Sequence, residues 1–275
     1  MDFFLKAYVS NFLARFDKDG IIPYLSSNDF DGLQCEEHSF INSKGNKIAY
    51  FFYNYENFNE DKIVLFLHGI GPGHTAYMSE INTICKEGYR VLTLDYTGCD
   101  KSEGDSIYSV NQPTEDVDEL LIRLDLKEEV LIIGHSLGGY TTLNTINIHG
   151  NIKKAVVISG FISLKKELNG LFRSIPFSTI SSIKYEKKKN MKYGNLDNVR
   201  YLRNTKDKIL FIHSKDDQLV PFNSSTGFIQ KKIKNENLSF IVVDGKKHNP
   251  NYSKESLDYM NETFATYTEK INSKE

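Results

Sequence analysis

Val130-Leu131-Ile132-Ile133-Gly134-His135-Ser136-Leu137-Gly138-Gly139 runs four apolar, mostly β-branched residues straight into a glycine-flanked serine. An amphipathic segment over 137–149 follows, so the stretch reads as strand, sharp turn, helix, in the pattern G-x-S-x-G. A serine on such a turn sits in a strained backbone conformation, and only small neighbours such as Gly134 and Gly138 leave room for it. The turn lifts the hydroxyl clear of the sheet. It also sets the N–H of Leu137 at a helix N-terminus, where it can stabilise an oxyanion. A glycine-rich turn with an incidental serine would look the same over five residues, so the rest of the chain decides.

Outward from this turn, strands and helices alternate. Runs 36–42 and 47–55, joined by Ser43-Lys44-Gly45-Asn46, predict an antiparallel opening hairpin. Run 62–67 reads as a buried strand ending in His68-Gly69-Ile70-Gly71-Pro72-Gly73-His74. A helix over 77–87 stops at Gly88, and strand 89–94 ends in Asp95-Tyr96-Thr97-Gly98. Pro113 and Thr114 open another helix, and strands at 154–159, 208–213 and 238–243 follow with helices at 224–233 and 253–271. Such alternation implies right-handed crossovers and a mostly parallel central sheet flanked by helices, an α/β class. Ligands of such sheets bind beyond the carboxyl ends of the strands, where Ser136 and the 68–74 loop both fall.

The pattern breaks over 160–207, too long for a plain connection and too irregular for one crossover helix. It predicts a small helical cap over the carboxyl edge, with Lys187-Lys188-Lys189 as a solvated face. Phe3, Phe4, Tyr8, Phe12 and Phe16 recur at helical spacing and predict an extra N-terminal helix docked on the domain. No linker or repeat divides residues 1–275, so a single domain with one cap insertion is expected.

The 275 residues are 40% hydrophobic and 25% charged with a formal charge of −2. That balance offers no case for nucleic acid or an anionic membrane as partner. No segment has the length and apolarity of a bilayer span, and Lys6 and Asn11 interrupt any signal-type core. Cys35, Cys85 and Cys99 show neither zinc-ligand spacing nor a disulfide framework, which points to reduced thiols in a cytoplasmic protein without a bound metal. The glycine loop 69–73 lacks the lysine of a phosphate cradle, and no G-x-G-x-x-G opens the first crossover helix, so no cofactor is expected.

A serine hydroxyl needs a base, usually an imidazole oriented by a carboxylate. His149 ends the helix that Ser136 begins, roughly 20 Å away at about 1.5 Å per residue, and is excluded. His213 ends its strand and could face either way, whereas His248 sits in a loop, Asp244-Gly245-Lys246-Lys247-His248, at the carboxyl edge. Asp216 and Asp217 follow the preceding strand, which puts a candidate serine, acid and histidine on loops after different strands.

Five segments in order, F-L-H-G, L-D-Y-T-G, G-H-S-L-G-G, the D-x-x-V-P of Asp217 to Pro221 and the G-x-x-H of Gly245 to His248, resemble the α/β-hydrolase family. The likeness is to its group of esterases, monoglyceride lipases and serine aminopeptidase-like proteins, and covers the chain from about Lys47 onward. The resemblance implies Ser136 as nucleophile, His248 as general base and Asp217, which fits D-x-x-V-P better than Asp216, as the orienting acid. It implies oxyanion N–H groups from Leu137 and Ile70, with Gly71 the neighbouring alternative. The expected reaction is cleavage of a small-molecule carboxylic ester through an acyl-enzyme, without cofactor. Thioesterase and aminopeptidase activities are the alternatives, and a non-catalytic binding protein of the same fold is a further one. Phe161, Leu171 and Phe177 are candidate linings of an apolar acyl pocket.

Two departures stand out. Thr97-Gly98-Cys99-Asp100-Lys101-Ser102 replaces the R-G-x-G-x-S that often follows in the family. H-G-I-G-P-G is similar to the H-G-G-P-G of proline iminopeptidases, but Leu137 stands where those enzymes carry tryptophan, so their specificity is not carried over.

Overall fold

Ile63, Leu65 and Leu67 fall in one buried cluster, while Val64 and Phe66 between them fall in another. The parity recurs across the central strands, with Leu92, Ile132, Val157 and Phe211 on the first side and Val91, Ile133, Val156 and Ile212 on the second. Side chains alternate across a strand, so a run that is apolar at every position demands cover on both faces.

The computed structural model describes Leu13, Arg15 and residues 24–171, 176–190 and 192–248, the side chains of 168–171 and 176–179 excepted. The helices expected near the two chain ends fall outside these residues, apart from Leu13 and Arg15. Strands β1 (Gln34–Ile41), β2 (Lys47–Asn54), β3 (Asn59–Leu67), β4 (Tyr89–Leu94), β5 (Glu129–His135), β6 (Lys154–Ile158), β7 (Lys208–Ser214) and β8 (Leu238–Val243) form one sheet. Its order is β1-β2-β4-β3-β5-β6-β7-β8. The first two pairings are antiparallel, as the opening hairpin predicts, and every later one is parallel. β3 begins ahead of its apolar run because Asn59 N–H donates to the Gly88 carbonyl at 2.8 Å, a bond that apolar periodicity does not reveal.

Helix α1 (Met78–Lys86) lays Ile81 and Ile84 on the second face. Helices α2 (Gln112–Leu124) and α3 (Leu137–Ile148) cover the first with Val117, Leu120, Leu143 and Ile146. The insertion holds α4 (Leu164–Leu171) and α5 (Pro176–Lys189). It ends in α6 (Asn198–Asn204), capped by the Asp197 carboxylate on Arg200 N–H and returned to the body by fully buried Leu202. α7 (Thr226–Lys232) precedes β8 on the same side, through Ile229. Among the described residues no helix is long and apolar enough to cross a membrane.

The departure at 97–102 is accommodated by local hydrogen bonds. Ser102 Oγ donates to the Asp95 carbonyl at 2.5 Å and accepts from Ala49 N–H at 2.9 Å. The Arg15 guanidinium donates to the Asp100, Ser102 and Gly104 carbonyls from outside the loop. Gly98, at φ +77°, has Ser106 backbone 2.4 Å from where a Cβ would stand, so the position admits only glycine.

Candidate active site

Parallel pairing brings the ends of β3, β5, β7 and β8 to one edge. Ser136 lies between β5 and α3 at φ 56° and ψ −116°, a conformation costly for any residue with a side chain. Its N–H donates to the Ile158 carbonyl at 2.9 Å, and its carbonyl accepts from Tyr140 N–H at 3.2 Å. The two glycines are needed by contact as well as by conformation. A Cβ at Gly134 would lie 2.2 Å from the Gly138 carbonyl oxygen, and one at Gly138 would lie 2.0 Å from that of Leu67.

His248, Ser136 and Asp217 meet at this edge. His248 Nε2 is 2.8 Å from Ser136 Oγ, and its Nδ1 is 2.8 Å from Asp217 Oδ2. The other carboxylate oxygen, Oδ1, accepts from the N–H groups of Leu219 and Val220 at 3.0 and 2.9 Å. Burial works to raise the Asp217 pKa, but the donors His213, His248 and Val220 outweigh it and hold the carboxyl well below its usual range. Asp217 is therefore a carboxylate. Asp216 points elsewhere: it accepts from Ser214 Oγ at 2.5 Å and from Lys247 N–H at 3.2 Å, bracing the backbone of the histidine loop.

His213 is buried and does not meet Ser136. Its Nδ1 accepts from Thr226 Oγ1 at 2.9 Å, and its Nε2 faces both the Val220 carbonyl at 2.9 Å and Asp217 Oδ2 at 3.1 Å. His149 instead pairs with Asp118 at 2.8 Å, away from this edge.

On the β3 side, His68 Nδ1 donates to the Gly69 carbonyl at 2.7 Å while its Nε2 accepts from Tyr96 N–H at 3.3 Å. Full burial lowers the His68 pKa to about 4, so the ring is neutral and this tautomer persists. A trans peptide directs its N–H opposite to its C=O. Holding the Gly69 carbonyl thus fixes the N–H of Ile70 on the other side of the same plane. A Cβ at Gly69 would stand 3.5 Å from Ser136 Cβ, so this backbone lies directly against the serine. Leu137 N–H is at the first position of α3, free of intrahelical partners as all first-turn donors are.

Phe161 packs in the first cluster with its ring stacked on Tyr140 at 4.3 Å. The side chains of Leu171 and Phe177 lie outside the described residues. The cap contributes Glu167 instead. Its carboxyl is buried and pushed up to about 8 by burial and then by the charge of Asp217. Sequence patterning passes over His135 and Tyr77. His135 Nδ1 is 2.9 Å from Tyr77 Oη, and His135 Nε2 is 2.9 Å from the His248 carbonyl. The cue to His135 is strand parity, since 131, 133 and 135 face α1 together.

Among the described residues, His74, Asp95 and Asp100 bring possible metal-ligand atoms within 4.8 Å of one another. Each is already engaged: His74 bonds Tyr53 Oη and Asp95 through its two ring nitrogens, and Asp100 accepts from Thr75 Oγ1.

Residues 59–207, more than half of the chain, match the family described as serine aminopeptidase, S33. A 2-hydroxy-6-oxononadienedioate/2-hydroxy-6-oxononatrienedioate hydrolase of Escherichia coli is 32% identical over 108 residues, 36% of either chain. A proline iminopeptidase of Saccharolobus solfataricus is 26% identical over 179 residues, 62% of this chain and 54% of its own. The chain thus spans about a third to a half of the length of these curated relatives. An esterase of Pyrococcus furiosus superposes with a TM-score of 0.68 at 19% identity, over 95% of this chain and 98% of that one, a likeness of fold.

Proposed function

The chain belongs to the serine aminopeptidase S33 family of α/β hydrolases, and from that premise we propose that it is a serine hydrolase cleaving carboxylic esters through an acyl-enzyme on Ser136. The observation that carries the reading is the unbroken relay from Ser136 Oγ through the His248 ring to Asp217, each link 2.8 Å. His248 Nε2 takes the Ser136 proton as Oγ attacks the substrate carbonyl. Asp217 holds Nδ1–H and stabilises the imidazolium that forms. The N–H groups of Ile70 and Leu137 receive the oxyanion, which collapses as His248 protonates the leaving alcohol. Water, deprotonated by His248, then attacks the acyl-enzyme and regenerates Ser136 while the acid departs. Neither metal nor organic cofactor is required by these steps. Phe161, Leu171 and Phe177 belong to the proposed acyl side, and the free thiols Cys35, Cys85 and Cys99 fit a cytoplasmic setting.

A second reading, aminopeptidase, is favoured by Glu167. Its carboxyl is buried in the cap, feels the charge of Asp217, and has no hydrogen bond or ion pair among the described residues. An ammonium group bound there would draw the carboxyl back to its charged form. Hydrolysis of p-nitrophenyl esters from acetate to long-chain acyl, beside aminoacyl p-nitroanilides, separates the two. Ester turnover abolished by Ser136→Ala supports the first. Anilide turnover abolished by Ser136→Ala and weakened in KM by Glu167→Gln would establish the second instead.

A further inference from the structure

We propose that His135 is a positioning residue that latches the loop of the general base to the loop of the oxyanion donors, a role that rests on the esterase reading above. A hydrogen-bonded chain runs behind the triad, and the chemistry of its partners fixes where its protons lie. His135 Nε2 faces a backbone carbonyl, that of His248, at 2.9 Å. A carbonyl can only accept, so Nε2 carries the proton. Burial first, and then the neighbouring His248, lowers the His135 pKa to about 3, so the ring is neutral and Nδ1 is an acceptor. Tyr77 Oη, 2.9 Å away, donates to it, and that oxygen in turn accepts from Gly69 N–H at 3.1 Å. The chain therefore runs from Gly69 N–H to Tyr77, from Tyr77 to His135, and from His135 to the His248 carbonyl.

Each end of the chain is adjacent to a reacting group. Gly69 N–H belongs to the residue before Ile70, and His135 is bonded directly to Ser136. The other end grips the backbone of His248 itself. The preceding residues of that loop are held by other partners, Lys246 N–H by Ser214 Oγ at 3.2 Å and Lys247 N–H by Asp216 at 3.2 Å. Lys247 adopts φ 52°, outside any regular element, so the loop has no ladder of its own to fix it. Asp217 orients the His248 ring, and His135 anchors the carbonyl beside the Cα about which that ring pivots. The separation of Ser136 Oγ and His248 Nε2 is thus set by residues 135 and 248 directly. A proton-transfer pair loses roughly 100-fold in rate for an ångström of misplacement. The inner face of the sheet explains why the latch is hydrogen-bonded at all: at 2% exposure the His135 nitrogens have no water to turn to.

Two substitutions separate latching from simple packing. His135→Asn keeps a polar atom near the former Nδ1, within reach of Tyr77, but is too short for the His248 carbonyl. His135→Gln can present an amide N–H to that carbonyl. With p-nitrophenyl acetate, we expect His135→Asn to lower kcat by roughly 10- to 100-fold while KM stays within about two-fold. His135→Gln recovers most of that loss at equal thermal stability. If Asn and Gln variants both match the wild type, or both lose activity in step with their Tm, the latch is overturned. A second measurement does not depend on turnover. In protein labelled with 15N-histidine, one imidazole absent from the His135→Asn spectrum must remain neutral with its proton on Nε2 between pH 5 and 9. A His135 signal that is charged, or protonated on Nδ1, overturns the latch even in an active enzyme. A wild type whose Ser136 neither turns over esters nor reacts with a fluorophosphonate, yet shows that tautomer, overturns the esterase reading and leaves the hydrogen-bonded chain standing.

Discussion

His213 Nε2 lies 3.1 Å from Asp217 Oδ2, the same carboxylate oxygen that His248 Nδ1 reaches at 2.8 Å. One oxygen thus serves two imidazoles, and only one of these also touches Ser136. Asp217→Asn should lower kcat by roughly 10,000-fold with KM little changed, because the amide can present N–H where the carboxylate accepted and favour the wrong His248 tautomer. His213→Phe removes one of the donors to Asp217 and should cost roughly ten-fold. Steady-state kinetics on one ester, with both variants shown folded by circular dichroism, check the ranking; a His213 loss as large as that of Asp217 would contradict it.

Ser136→Ala and His248→Ala act on one relay, so their effects should not add. Each should lower kcat by roughly a million-fold, and the double variant should be no slower than either single one. An additive double variant would mean that the two residues work independently.

Gly138 and Gly150 separate space from composition. Gly138→Ala drives a Cβ to 2.0 Å from the Leu67 carbonyl, a backbone atom that cannot step aside, whereas nothing lies within 4 Å of a Cβ at Gly150. Gly138→Ala should destabilise by about 1–3 kcal/mol or more and distort the Ser136 turn. Gly150→Ala should stay within about 0.5 kcal/mol. Urea unfolding midpoints of the two variants test the contrast.

Glu80 makes stability depend on pH. Its carboxyl is fully buried, neither oxygen meets a hydrogen-bonding group of another residue among the described residues, and burial pushes its pKa up to about 8 from 4.5 against a smaller pull from its own backbone N–H. Between those values the folded chain holds a proton that the unfolded chain has released. The stability due to this group is complete below about pH 4.5 and is lost as pH rises toward 8. Glu167 is shifted the same way, to about 8, and adds to the slope. Glu80→Gln should therefore flatten, without abolishing, the fall in Tm between about pH 6.5 and pH 8, above the range in which neutral His68 and His135 act with the opposite sign. An unchanged Tm–pH slope would show that Glu80 is not held neutral in the folded protein.

Much of this was written in local order. Alternating apolar runs, the glycine-flanked Ser136 and the H-G, D-x-x-V-P and G-x-x-H segments each depend on neighbours within a few residues. Periodicity, turn chemistry and steric room report such dependence, so the α/β class and the edge on which Ser136, Asp217 and His248 fall follow from the sequence alone. The family resemblance already preferred Asp217 to Asp216 through D-x-x-V-P, but the bracing of the loop backbone by Asp216 was not legible, because where the turn points an adjacent carboxylate is decided by its folded partners. Nor were the roles of His135, His213 and Tyr77, polar groups on or beside apolar elements that any core could have absorbed. Their partners stand 113 residues away in one case, His135 to His248, and 58 in another, Tyr77 to His135. Hydrogen bonds act over about 3 Å whatever the chain separation. Only the packed sheet and helix α1 bring those donors and acceptors within that range.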